Sequence, residues 1–221
     1  MGQYNMGKVP STEKLFIRGP AGRLEAILDA PADKEARASV VVCHPHPQHA
    51  GTMHNKVAHT LARTFVGLGF AALRFNFRGT QASEGSYDNG DGELEDALSS
   101  LDWMRDRYPV GPCWLAGFSF GAAIGIRAAV TTSVDGLISV APAVDRFAAG
   151  LGRQPDCPWL IVQGDADELV DVDATIAWVN GLDPGPELLI MPGVGHFFHG
   201  NLNMLRDAVT TFVDTHLAGQ A

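Results

Sequence analysis

Gly117-Phe118-Ser119-Phe120-Gly121 sets a serine between two glycines, with a short apolar run before it (Cys113-Trp114-Leu115-Ala116) and a small-residue helical pattern after it, residues 122–129. A G-x-S-x-G between a strand and a helix is a nucleophile elbow, a turn tight enough to strain the serine backbone and lift its hydroxyl above the sheet. The flanking glycines are needed because a Cβ at either place would meet the neighbouring strand or helix. The Phe120 N–H, at the start of the helix, then points to where an oxyanion would form. A chain with 25 glycines offers such a pentapeptide by chance, so the flanking strand and helix carry the reading.

A serine hydroxyl is a poor nucleophile until a base takes its proton; histidine is the natural base near neutral pH, and a carboxylate holds its tautomer. Two loops downstream offer these groups. Gln163-Gly164-Asp165-Ala166-Asp167-Glu168-Leu169-Val170 follows one apolar run, and Pro192-Gly193-Val194-Gly195-His196 follows another. His196 is the expected base. Asp165 comes directly after Gly164, where the chain must begin to turn, and reads as a turn former. Two residues later the loop has room to bring a carboxylate back, which favours Asp167 as the acid. Asp171 and Asp173 precede the apolar pattern 176–179 and read as helix caps. His199 reads as the start of the last helix.

The elements that must position these residues alternate. Residues 13–18 and 23–28 alternate apolar and polar side chains around Gly19-Pro20-Ala21-Gly22, which predicts an edge hairpin. Residues 38–43 form a continuous β-branched run, the mark of a strand covered on both faces. Further strands are expected at 70–75, 136–140, 159–162 and 187–191, and helices at 55–68, 93–107, 173–180 and 202–217. Strands alternating with helices imply one domain over 1–221, an α/β fold with a mostly parallel central sheet and helices on both faces. Residues 1–11 read as a loose tail. In such sheets ligands sit beyond the carboxyl ends of the strands, where the loops bearing Ser119, Asp167 and His196 all lie. A third loop there, His44-Pro45-His46-Pro47-Gln48-His49, can supply a second oxyanion N–H. Pro45 and Pro47 have none, which leaves His46 or Gln48.

The order Ser, Asp, His along the chain is that of the α/β-hydrolases, and the whole length resembles that superfamily. More narrowly, His44-Pro45-His46-Pro47, Gly51-Thr52-Met53-His54-Asn55-Lys56-Val57 and Arg74-Phe75-Asn76-Phe77-Arg78-Gly79 are similar to a group of small bacterial serine hydrolases predicted to be esterases. The resemblance implies a Gly-x-x-Asp acid, which is Asp167 counted from Gly164, and an oxyanion donor two residues after the strand-end histidine, the backbone N–H of His46. It implies no cap domain, since only a short run joins residues 141 and 158. One departure stands out: the group continues Arg-Gly-x-Gly-x-Ser, and Gln81 occupies the second glycine position.

The implied activity is a cofactor-free serine hydrolase acting on short-chain or small-molecule carboxylic esters. Thioester, amide and peptide hydrolysis remain open, as does a catalytically idle scaffold that binds a ligand or partner. A net charge of −9 argues against nucleic acid or an anionic membrane as partner. Prolines between His44 and His46, with no carboxylate or thiolate at ligand spacing, argue against a metal site. The N-terminal residues show no apolar h-region, and Cys43, Cys113 and Cys157 have no close pair. Both point to a cytoplasmic protein with reduced thiols.

Overall fold

The computed structural model describes residues 10–32, 35–148, 151 and 153–217. Most of the expected tail lies outside them, but Ser11 is already the first residue of β1 (Ser11–Gly19), which pairs antiparallel with β2 (Gly22–Ala30). Then follow β3 (Ala38–Cys43), α1 (Lys56–Gly67), β4 (Phe70–Phe75), α2 (Asp91–Arg107), β5 (Cys113–Phe118), α3 (Phe120–Thr131), β6 (Leu137–Val140), α4 (Val144–Phe147), β7 (Trp159–Gly164), α5 (Val172–Asn180), β8 (Glu187–Met191) and α6 (Leu202–Leu217). The strands form one sheet in the order β1-β2-β4-β3-β5-β6-β7-β8. From β4 to β8 all pairings are parallel; β2 is antiparallel to both its neighbours.

Each of β3, β4, β5 and β7 is buried along its whole length, as a strand between two helical layers must be. Two apolar cores result. On one face, Val57, Leu61 and Phe65 of α1 and Leu205, Val209 and Phe212 of α6 close over Val40, Val42 and Trp114. On the other, Leu101 and Met104 of α2 and Ile124 of α3 close over Val41, Leu73 and Leu115. Local chemistry sets the helix ends. Asn55 Oδ1 accepts from the N–H groups of Val57 (2.9 Å) and Ala58 (3.3 Å) at the start of α1. Asp171 does the same for Asp173 and Ala174 at the start of α5. Glu93 reaches back to the Gly90 N–H at 2.7 Å, so α2 begins two residues earlier than the apolar periodicity alone predicts.

Other boundaries also differ from expectation. The strand before the elbow runs to Phe118, and β7 runs to Gly164, because parallel neighbours continue the ladder to Cys43↔Gly117 and Gly164↔Met191. His199 is outside α6, which starts at Leu202 after turns closed by Phe198 N–H to Gly195 O and Asn201 N–H to Phe198 O. The short α4 has too few residues to show a period. Cys43 and Cys113 are buried thiols and Cys157 is half-buried; burial holds Cys43 far above the ordinary thiol range and pushes Cys157 up to about 12. Among the described residues no helix is long and apolar enough to cross a membrane.

Candidate active site

Ser119 stands between β5 and α3 with φ 55° and ψ −117°, a left-handed conformation that a residue with a Cβ adopts only under constraint. The constraint is steric and hydrogen-bonded. A Cβ on Gly117 would collide with the Gly121 carbonyl, and one on Gly121 with the carbonyls of Cys43 and His44. The Ser119 N–H donates to Val140 O at 2.8 Å, and its carbonyl accepts from the N–H groups of Ala122 and Ala123, both at 3.1 Å. The sheet therefore grips the serine from β6 while α3 starts from its carbonyl, and the side chain is left half-buried above the sheet edge.

Two loops converge on that hydroxyl. Ser119 Oγ lies 3.1 Å from His196 Nε2, and His196 Nδ1 lies 2.8 Å from Asp167 Oδ2. With an acidic acceptor at Nδ1, the imidazole carries its proton there and turns the Nε2 lone pair to the serine O–H. The Asp167 side chain is fully buried and that of His196 is 3% exposed. Burial pushes the Asp167 carboxyl up, but hydrogen bonds from His196 and from the N–H groups of Val170 and Leu169 (both 2.8 Å) hold it below the ordinary carboxylate value. The group is an anion aimed at the imidazole.

Three contacts around this chain of bonds were not legible in the sequence. Glu168 Oε2 accepts the backbone N–H of His196 at 3.1 Å, and Asp165 Oδ1 accepts that of Gly193 at 2.6 Å. Asp165 thus ties the loop of His196 across to the loop after β7 and is more than a local turn former. The third is Gln163, whose Nε2 donates to Asp167 Oδ2 at 2.9 Å. The Asp165 and Glu168 contacts join residues brought together only by the adjacency of β7 and β8, for which no local signal exists; Gln163 meets Asp167 where the loop after β7 folds back over the end of its own strand.

A cleft of ≈ 440 Å³ opens beside Ser119. Phe120, His46 and His49, with Leu169 and Val170 of the loop after β7 and Val144 and Phe147 of α4, line it. As the first residue of α3, Phe120 has an N–H without an intrahelical acceptor. The His46 N–H likewise has no acceptor among the described residues. The His46 ring is held by hydrogen bonds and by ring contacts. Nδ1 accepts the Gln48 N–H at 3.2 Å, so the proton is on Nε2, which donates to Tyr87 Oη at 3.2 Å. The ring stacks on His49 at 4.5 Å and lies 4.9 Å from Phe120. Burial, then the charges of His49 and Arg146, lower its pKa.

His44, fully buried, is a strut. Its Nε2 accepts the Phe77 N–H at 3.0 Å and its Nδ1 faces Pro45 O at 2.6 Å. Burial drives its pKa to about 4, so the ring is neutral. The Arg78–Ser83 loop beyond Phe77 closes through Thr80 N–H to Phe77 O and Ser83 N–H to Thr80 O. Gln81 sits there at φ 51°, the region that suits the glycine of the resembling group.

Residues 34–151, a span holding the serine turn, match the Hydrolase_4 family, described as Serine aminopeptidase, S33. The chain belongs to this family and is an α/β serine hydrolase. A Xanthomonas campestris structure described as an α/β serine hydrolase without lid is 40% identical, with a TM-score of 0.89 over 96% of this chain and 98% of that one. An α/β serine hydrolase homologue from Coxiella burnetii is 45% identical, with a TM-score of 0.86 over 92% and 98%. An uncharacterized Rickettsia prowazekii protein is 31% identical over 212 residues, 91% of this chain and 89% of its own length. Like the Xanthomonas structure, this fold has no lid: the described part of the β6–β7 connection holds only the one-turn α4.

Proposed function

We propose that the protein is a carboxylic ester hydrolase working through an acyl-enzyme on Ser119. The observation that carries the reading is the continuous line Asp167 Oδ2–His196 Nδ1 and His196 Nε2–Ser119 Oγ, 2.8 and 3.1 Å, ending on a strained serine that faces a cleft. Ser119 Oγ attacks the ester carbonyl carbon as His196 Nε2 takes its proton. Asp167 stabilises the resulting imidazolium and keeps the ring in register. The oxyanion is received by the N–H groups of Phe120 and His46, residues that line the same cleft as the serine and whose N–H groups have no acceptor among the described residues. His196 then hands its proton to the leaving alcohol oxygen, a water enters, and the same relay run backward releases the acid. No step calls for a metal or cofactor.

The cleft supports small esters. A volume of ≈ 440 Å³ is at the low end for ligand sites, and its apolar walls (Phe120, Val144, Phe147, Leu169) suit a short acyl chain. A fluorophosphonate probe followed by peptide mapping tests the nucleophile. A single adduct on Ser119, lost in Ser119→Ala, is expected; a probe-inert protein would instead be a binding scaffold. Matched ester, thioester and amide substrates then test the acyl-group preference, with the ester expected to be fastest.

A further inference from the structure

Gln163 is fully buried on β7, after Trp159, Leu160, Ile161 and Val162, on a strand covered on both faces. Its Nε2 donates to Asp167 Oδ2 at 2.9 Å and to Gly164 O at 3.3 Å. Both partners are acceptors, so the orientation of the amide is forced and Oε1 must face the other way. There Oε1 is buried without a hydrogen-bond partner among the described residues. An orphaned buried carbonyl destabilises a fold, and an apolar side chain of the same length would avoid it. Packing alone therefore gives no reason for a glutamine at this position.

We propose that Gln163 is a positioning residue for the acid of the site: its amide proton aims Asp167 Oδ2 at His196 and limits the charge that oxygen presents to the imidazolium. The inference rests on reading Asp167 and His196 as acid and base. Four donors fill the carboxylate. Leu169 and Val170 N–H groups take Oδ1, while His196 Nδ1 and Gln163 Nε2 share Oδ2. The other titratable groups near His196 have different partners. Glu168 accepts its backbone N–H, Ser119 meets its Nε2, and His199 stacks on Phe197; the ring packed from β5 is the apolar Phe118 at 5.0 Å. A second donor on Oδ2 disperses the charge that this oxygen presents to the ring once His196 has taken a proton.

Gln163→Met keeps the length and removes both the amide donor and the orphaned carbonyl; Gln163→Leu does the same with another shape and serves if the methionine variant fails to fold. The variant is expected to melt no lower than the parent. Its kcat falls several-fold, and the acid limb of kcat/KM moves to higher pH by about half to one unit. The His196 ring protons, titrated by NMR without substrate, should show the same upward displacement. An undisplaced titration in a folded variant overturns the proposal, whatever happens to kcat, and assigns Gln163 to packing alone. A displaced titration in a protein that neither hydrolyses esters nor takes a fluorophosphonate supports the role of Gln163 and sinks only the catalytic reading.

Discussion

Asp165 Oδ1 and the Gly193 N–H, 2.6 Å apart, join the loop after β7 to the loop after β8 just ahead of the residues that meet in the site. Three residues past Gly193 comes His196; two past Asp165 comes Asp167. One aspartate therefore braces the loops while the other faces the imidazole, and the two must respond differently to substitution.

Asp167→Asn is expected to preserve the fold and lower kcat by about 10⁴-fold, because an amide at Oδ2 can donate to Nδ1 and fix the wrong tautomer. Asp165→Asn keeps an oxygen for Gly193 and should cost little. Asp165→Ala removes an exposed charge-assisted bond, with a loss of about 1 kcal/mol and a modest fall in kcat. The check is kcat on one activated ester beside melting curves for the three variants. Severe loss in Asp165→Asn with near-normal Asp167→Asn would reassign the acid.

His44 makes stability depend on pH. Its folded pKa is about 4, whereas a free histidine titrates near ~6.5. Below ~6.5 the unfolded chain takes a proton that the folded ring refuses, so stability is full above that pH and declines as pH falls toward 4. The loss is on the order of 3 kcal/mol, and His46, also lowered, adds to it in the same direction. Urea midpoints between pH 7 and 4 measure the slope. In His44→Gln, which can still accept from Phe77, the slope should flatten; an unchanged slope places the coupling elsewhere.

The serine turn was legible because its cause is local. Glycines two residues to either side of Ser119, a strand before and a helix after are all properties of one short segment. The strand order was less so: that β3 lies between β4 and β5, and β2 runs antiparallel beside β4, follows from how crossovers stack and leaves no mark at any one residue. The convergence of Asp167 and His196 could be anticipated from two loops at the same sheet edge. What Glu168 does could not, since it acts on an atom supplied by the facing loop, nor what Gln163 does, since that depends on how the loop after β7 folds Asp167 back over the strand end. A buried glutamine at the end of an apolar run was the one signal available for the latter.

Gln81 offers a stability test. At φ 51° it holds a conformation costing an L-residue about 1–2 kcal/mol, and its exposed side chain makes no hydrogen bond among the described residues. Glycine removes that strain but loses about 0.5–1 kcal/mol of chain entropy on folding. Gln81→Gly should therefore gain about 0.5–1 kcal/mol and raise the Tm by a few degrees. Gln81→Val, whose branched Cβ is worse at positive φ, should lower it. A Tm that falls in the glycine variant would show that the side chain holds the loop after all.

Phe147 lines the cleft from α4. Its ring lies 4.8 Å from Phe120 and 5.7 Å from His46, so it closes the side of the cavity that α4 forms. Leu169, 63% exposed, borders the mouth from the loop that carries Asp167. With no lid, there is no apolar cover to open at a lipid surface. Acyl chains of about two to four carbons should therefore turn over fastest, and the rate should show no jump as substrate passes its aggregation limit. Phe147→Ala deletes a ring that blocks further extension, so kcat/KM for an eight-carbon ester should rise several-fold relative to the short one, while kcat on the short ester, whose acyl group does not reach the ring, stays near that of the parent. Initial rates on esters of graded length, taken across the aggregation limit, measure both effects. A parent enzyme that prefers long chains with a jump at aggregation, or a Phe147→Ala variant with an unaltered length profile, would mean that the acyl group lies along another wall of the cleft.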